Sequence, residues 1–407
     1  MRVVFYYPSM IIGGAELLFY RTACELHKLG MNIAYVDYHD GYIAKKLNDE
    51  NSGIDTISID KEPRKSLESQ DVVILPANFA RVLDTLDFCS ANCRLLFWVI
   101  HPENLVPKLP SQIPLPEKSL SYRLLSFFLL RTERKNITSL LNICDEYNGI
   151  YYMDGACYRQ HKSVLGNINS PKILPLFVPS KGIISAKFNR SSVSGKKLRV
   201  AWLGRIDKSF KHFILERLIR DLNELGLYET LELCIIGQGD GIEYIKKVVA
   251  ECTEVDVRFV SHVEPNLLQD YLFQNVDLLC AMGTSALEGA KAGIPVVCLD
   301  ASYQPVDFEY KYRLIYQGEG LSLGYIINQN WFPDENKLSI KEILLHVREN
   351  FRLHAQKSLK FYQEGYEPSN VIKELKKAVE ATNLKPTCFP GKLFRKSLFV
   401  RIWRAFR

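Results

Sequence analysis

Short apolar runs rich in Val, Ile, Leu and Phe alternate along this 407-residue chain with longer segments of helical period, and that alternation restricts the fold more than any other feature. A run that is apolar on both faces reads as a strand buried on both sides, which parallel sheets covered by helices provide. The strands expected in the first half are Val3–Tyr7, Asn32–Asp37, Val72–Leu75, Arg94–Ile100 and Gly149–Met153, with a helix over Glu16–Leu29. Pro, Ser, Gly and Lys then crowd residues 176–197, the composition of a linker. The alternation resumes at Leu198–Leu203, Leu231–Ile236, Val257–Val260, Leu278–Ala281 and Pro295–Leu299. The fold class expected is α/β, with two Rossmann-like doubly wound domains in series over 1–175 and 198–360. A break at Gly365–Pro368 lets the last helix, about 366–383, cross back onto the first domain.

Charge placement says more than the total. The net charge of +6 is 52 bases minus 46 acids. Gly391–Arg407 alone carries Lys392, Arg395, Lys396, Arg401, Arg404 and Arg407 with no acid, so the body sums to zero. Interleaving with Leu393, Phe394, Leu398, Phe399, Ile402, Trp403 and Phe406 suits an interfacial helix on an anionic leaflet; the alternative is a tail that docks on the body. Nucleic acid is not expected, since no other stretch adds to a basic surface. No uncharged apolar run reaches the length of a membrane span, and the N-terminal run is broken by Pro8, Gly13 and Gly14. Ten scattered cysteines without a C-x-x-C pair read as reduced thiols in a cytoplasmic protein. Between His101 and Asn142 five prolines precede Ser119–Arg131, an almost wholly apolar stretch that reads either as a packing helix or as an element that meets an acceptor or a membrane.

Four motifs carry candidate chemistry. Gly13-Gly14-Ala15-Glu16 follows the first strand and opens a helix, where glycines allow close backbone approach and free N–H groups favour an anion. Gly204-Arg205-Ile206-Asp207-Lys208-Ser209-Phe210-Lys211 follows the first strand of the second domain, and a guanidinium and an ammonium on such a loop can converge on one diphosphate. Gly237-Gln238-Gly239-Asp240-Gly241 is a weaker glycine turn. Met282, Gly283, Thr284 and Ser285 form a small-residue turn into a helix bearing Glu288, a carboxylate able to accept two hydrogen bonds from a ribose diol. No strict D-x-D occurs, so no metal and no other cofactor is expected; the basic pair and helix dipoles would take the metal's place.

The G-G-A-E turn, the G-R-I-D-K-S-F-K loop and the G-T-S-A-L-E-G-A-K-A-G-I-P-V-V segment, in this order, resemble the family-4 retaining glycosyltransferases of the GT-B fold over roughly residues 1–383. The resemblance implies two domains facing a central cleft, with Gly13, Gly14, Gly204, Arg205, Lys211, Gly237, Met282, Gly283, Thr284, Ser285 and Glu288 around a nucleotide-sugar donor, UDP favoured. Arg205 and Lys211 would bind its diphosphate and Glu288 its ribose. His101, at the end of a strand, matches a family histidine near the transferred sugar and would be catalytic with Arg205 and Lys211. It further implies front-face transfer with retention of a hexosyl or N-acetylhexosaminyl group to a hydroxyl. With the apolar insertion and basic tail it points to a glycan or lipid-linked acceptor in bacterial surface polysaccharide synthesis (lipopolysaccharide, O-antigen or capsule), on the inner face of the cytoplasmic membrane. The family's second glutamate, eight residues before Glu288, is here Cys280. That departure keeps open a catalytically silent GT-B protein acting as a partner or glycan-binding subunit.

Overall fold

The computed structural model describes residues 1–11, 13–60, 67–81, 83, 92–109, 120–178, 197–227, 230–327 and 337–394. They form two compact units, Met1–Leu176 with the described residues from Val371 on, and Phe177–Asn370.

Unit 1 runs β1 (Val3–Tyr6), α1 (Gly14–Lys28), β2 (Ile33–Asp37), α2 (Tyr42–Asp49), β3 (Asp55–Ser58), β4 (Val72–Pro76), β5 (Arg94–Val99), α3 (Leu120–Leu129), α4 (Arg131–Glu146), β6 (Ile150–Tyr152) and α5 (Gly155–Leu165). Its sheet is parallel, in the order β3-β2-β1-β4-β5-β6. The apolar runs become strands because both faces are covered: Val3, Val4, Phe5 and Tyr6 are all buried, as are Leu95 to Val99. β1 sits in the middle, with Phe5 opposite Tyr35 on one side and Ile74 on the other. Asp37, at the end of β2, accepts hydrogen bonds from the N–H groups of Ser9, Tyr38 and Ala44, so its carboxylate is spent on tying the loop after β1 to the start of α2. That position is where a dinucleotide-binding sheet keeps an acid for ribose, and here it is structural.

Unit 2 runs β7 (Leu198–Leu203), α6 (His212–Asn223), β8 (Leu231–Ile236), α7 (Ile242–Glu251), β9 (Asp256–Val260), α8 (Leu268–Asn275), β10 (Leu278–Ala281), α9 (Thr284–Lys291), β11 (Val296–Cys298), β12 (Ala301–Ser302), β13 (Ile326–Ile327), α10 (Ile340–Glu349) and α11 (Phe351–Gly365). Its main sheet has the parallel order β11-β10-β7-β8-β9. Gly289 explains the close seat of α9, because a Cβ there would come within 2.4 Å of Leu279 and 2.9 Å of Val296. Behind this sheet the fully buried Asp300 receives Lys337 Nζ at 2.7 Å, Arg313 at 3.5 Å and the N–H of Tyr325 at 2.9 Å. Desolvation pushes the Asp300 pKa up, but the Lys337 and Arg313 charges outweigh it and hold the carboxylate ionised.

α12 (Pro368–Ala381) leads into a segment that pairs with unit 1: Leu95 N–H donates to Leu384 O at 2.8 Å and Thr382 Oγ1 to Leu95 O at 2.6 Å. Gly149 is required there, since a Cβ would meet Leu384 at 2.4 Å. Leu393 and Phe394, which the tail reading offers to a lipid surface, pack instead against the core of unit 1. The rest of the tail, from Arg395, lies outside the described residues, as do most of the linker and residues 110–119 of the proline-rich insertion. The apolar stretch after those prolines is α3, whose Leu124, Phe127 and Phe128 are exposed. Among the described residues no helix is long and apolar enough to cross a membrane.

Candidate functional site

In both sheets the first strand lies next to the fourth and the chain runs outward in opposite directions from that pair. Such a topological switch point opens a crevice beyond the carboxyl ends of the strands, where open α/β sheets take ligands. In unit 2 the pair is β7 and β10, with Leu203 opposite both Ala281 and, on its other side, Ile236 of β8. The loops after these three adjacent strands are 204–211, 282–283 and 237–241. The sheet therefore gathers Gly204, Arg205, Lys211, Gly237, Met282, Gly283, Thr284 and Ser285 along one edge, with Glu288 one turn into α9.

The loop after β7 is built around Asp207. Its Oδ1 accepts from Ser209 Oγ at 2.8 Å and from the N–H groups of Phe210 and Lys211 at 3.0 and 3.3 Å, which turns the chain into α6. Its Oδ2 lies 3.4 Å from Arg205 Nε. Desolvation raises the Asp207 pKa, but these hydrogen bonds and the Lys211 charge outweigh it and leave the pKa below that of an ordinary aspartate. Arg205 is exposed, with 65% of its side chain open to solvent. Lys211 is half-buried against the ring of Phe210, 5.6 Å from its centroid. Desolvation lowers the Lys211 pKa, with Arg205 adding to the shift and Asp207 opposing it. Asp207 faces both Arg205 and Lys211, and the remaining repulsion between the two cations is of the kind an anion would relieve.

The glycine turn after β8 has a structural reason of its own. Gly237 has φ +147 and a Cβ on it would lie 2.0 Å from Gly204 O; Gly239 has φ +154 and a Cβ would lie 2.1 Å from Ile206 O. Ile206 N–H donates to Gln238 O at 2.8 Å, Gly241 N–H to Ile206 O at 2.9 Å, and Lys208 N–H to Asp240 Oδ1 at 3.0 Å. The two loops are zipped together, and the glycines are where one backbone rests on the other.

The turn after β10 is fixed by Gly283, whose φ of +60 falls in the left-handed region and whose N–H donates to Leu323 O at 2.8 Å. Glu288 is partly buried and pairs with Lys291, Nζ to Oε2 2.6 Å, leaving acceptor positions on its other oxygen for a diol. The i,i+3 spacing of this pair was legible in the sequence, and the ion pair lets Lys291 orient Glu288. Cys280, by contrast, is not at the site. It lies inside β10, fully buried in the core of unit 2 beside Trp202, and burial pushes its thiol pKa up. A glutamate there would be an unpaired charge among apolar side chains. The eight-residue spacing thus points into the sheet and not into the crevice.

Unit 1 presents Gly13 and Gly14 after β1 and His101 after β5, two strands apart. Glu16, in the first turn of α1, has its carboxylate folded over Gly13, where a Cβ would meet Oε2 at 2.6 Å, and accepts from Ser9 Oγ at 3.2 Å. The positive end of α1 is therefore already met by an internal anion. Gly14 faces open space. His101 is exposed at the surface, and its Nδ1 accepts from the N–H of Glu103 at 3.1 Å. Desolvation lowers its pKa, with Lys108 adding to the shift and Glu103 opposing it, so the ring is neutral at pH 7. Among the described residues no three His, Cys, Asp or Glu side chains come together as a metal-ligand group.

No protein-family model matches the chain, and no curated protein matches it. Solved structures do. HepE of Anabaena, in complex with UDP and glucose, is 13% identical, with a TM-score of 0.55 over 94% of this chain and 100% of that one. A glycosyltransferase from Rickettsia africae is 13% identical, with a TM-score of 0.57 over 93% and 98%. A variant of TarM from S. aureus, in complex with fondaparinux, α-GlcNAc-glycerol and UDP, is 11% identical, with a TM-score of 0.53 over 93% and 99%. Two parallel sheets of six and five strands with flanking helices, matched over nearly the whole length of such structures, give this chain the GT-B fold.

Proposed function

We propose that this protein is a metal-independent glycosyltransferase that moves a hexosyl or N-acetylhexosaminyl group from a UDP-sugar to an acceptor hydroxyl with retention at the anomeric carbon. The observation that carries the reading is that the adjacent strands β7 and β10 bring the loop of Arg205 and Lys211 to the same sheet edge as α9 with its Glu288. In this reading Arg205 and Lys211 hold the diphosphate, the amides at the start of α9 meet its oxygens, and Glu288 takes the ribose. As the sugar–phosphate bond lengthens, negative charge grows on the departing phosphate, and the two cations stabilise that state more than the ground state. The departing phosphate takes the acceptor proton on the same face. The UDP in the HepE and TarM complexes, with glucose in one and α-GlcNAc-glycerol in the other, supports a uridine nucleotide as donor.

The acceptor proposed is a lipid-linked glycan of bacterial surface polysaccharide, met at the inner face of the cytoplasmic membrane. The six bases of the tail and the exposed Leu124, Phe127 and Phe128 of α3 support a peripheral membrane protein. The test is a screen of UDP-, GDP- and ADP-sugars for thermal stabilisation, in which a ligand at a hundred times its Kd adds about 2.7 kcal/mol, followed by NMR of the product's anomeric configuration. Stabilisation by UDP-sugars with turnover and retained configuration is expected. Stabilisation without donor breakdown, with any acceptor, would favour the silent glycan-binding subunit.

A further inference from the structure

His101 stands on a loop that can be traced, hydrogen bond by hydrogen bond, into the core of unit 1. The trace starts at His161 on α5, which has no solvent exposure. One ring nitrogen, Nε2, meets the carbonyl oxygen of Asn104, and the other, Nδ1, lies 3.2 Å from the hydroxyl of Tyr152. A carbonyl can only accept, so Nε2 carries the proton and Nδ1 accepts from Tyr152. Burial holds the His161 pKa down at about 4, with the charge of Arg81 acting in the same direction and the contact to Asn104 opposing it. The ring is therefore a neutral, one-directional donor to the loop.

Asn104 passes that constraint on. Its Oδ1 accepts from the N–H groups of Ile100 and His101 at 3.3 and 3.2 Å, and its own N–H donates to His101 O at 3.0 Å. The loop so closed sets Glu103 N–H against His101 Nδ1 at 3.1 Å. A neutral imidazole whose Nδ1 accepts must carry its proton on Nε2. The next residue, Leu105, has φ +62, a left-handed conformation that a leucine keeps only where its surroundings hold it.

We propose that His161 and Asn104 are positioning residues for His101, fixing its loop so that Nε2–H points outward and donates one hydrogen bond to a ligand oxygen such as a sugar hydroxyl. His101 is then a donor to the sugar and does not remove the acceptor's proton. The second half rests on the proposed transferase reading, whereas the tautomer does not.

The two are separated by one set of measurements on the full chain labelled with 15N-histidine. Long-range 1H–15N spectra of the wild type, assigned with His101→Gln, are expected to show His101 with a bare Nδ1 and a protonated Nε2. His161→Phe fills the volume but cannot donate, and Asn104→Ala leaves the core untouched. Each should give a mixed tautomer and lower kcat/KM for the UDP-sugar by about tenfold, with the affinity for UDP, which carries no sugar, unchanged. His161→Gln, which keeps a donor near the Nε2 position, should restore both signals. If His161→Phe does not fold, Asn104→Ala decides alone. A protonated Nδ1 in the wild type, or an unchanged tautomer in folded Asn104→Ala, overturns the positioning. A shifted tautomer with unchanged kcat/KM overturns the placing of His101 at the ligand and leaves the rest of the transferase site to stand.

Discussion

Replacing Gly237 by alanine probes the zipping of the loops after β7 and β8 without touching a charged group. The new Cβ would lie 2.0 Å from Gly204 O. An ordinary carbon contact is about 3.5 Å, so the turn after β8 and the loop after β7 must part by about 1.5 Å. The backbone at φ +147 adds strain, because a side chain disfavours it by about 1–3 kcal/mol. Overpacking of a tight site costs about the same again, which gives a loss of roughly 2–6 kcal/mol, and a drop in Tm of roughly 4–24 °C for a unit of this size. Parting the loops would also move Arg205 and Lys211. The assay is thermal and urea unfolding of the ligand-free variant beside calorimetric titration with UDP. We expect both stability and UDP affinity to fall. If the glycine served only to admit a nucleotide, the ligand-free protein would be as stable as wild type and affinity alone would drop, and that result would refute the zipped-loop reasoning.

Other expectations follow from the same geometry. Arg205→Ala and Lys211→Ala should each lower turnover at least about tenfold, the loss expected when one charge-assisted contact to a departing phosphate is removed. Stability should hardly change for the exposed Arg205; wild-type rates in both variants would remove the diphosphate assignment. Because the pKa of Lys211 is depressed, its charge is present below that pKa and lost as pH rises through it, at a lower pH than for an ordinary lysine. Donor affinity measured from pH 7 up to the ordinary lysine pKa of about 10.5 should fall accordingly in the wild type and hold in Lys211→Arg; parallel profiles would show that Lys211 does not face the donor. Deleting residues 395–407 should abolish sedimentation with anionic liposomes while leaving transfer to a short soluble acceptor, and unchanged sedimentation would move the membrane contact elsewhere, α3 being the exposed apolar face that remains.

The strands that carry the candidate loops were legible because a central parallel strand is buried on both faces and cannot hide its apolar run, as in Val3–Tyr6 and most of Leu198–Leu203. The strands missed are β3, an edge strand whose Asp55 is exposed and Ser58 half-buried, and the two-residue pair β12 and β13, none of which shows such a run. The switch points followed from strand order, which a sequence does not print. Spacing along the chain also misled at Cys280, since counting eight residues back from Glu288 crosses a turn and enters β10. The reasons for Gly237 and Gly239, and the burial of His161 under the His101 loop, depend on contacts between segments tens of residues apart. No local pattern records them.

If the strand ends of β7 and β10 form a nucleoside-diphosphate site, calorimetric titration of the purified chain with UDP will show it. Saturable one-to-one binding is expected in the presence of EDTA, weakened at least about tenfold by Arg205→Ala or Lys211→Ala and weakened also by Glu288→Gln. Binding that is absent without a divalent metal, or that all three variants leave unchanged, would contradict it.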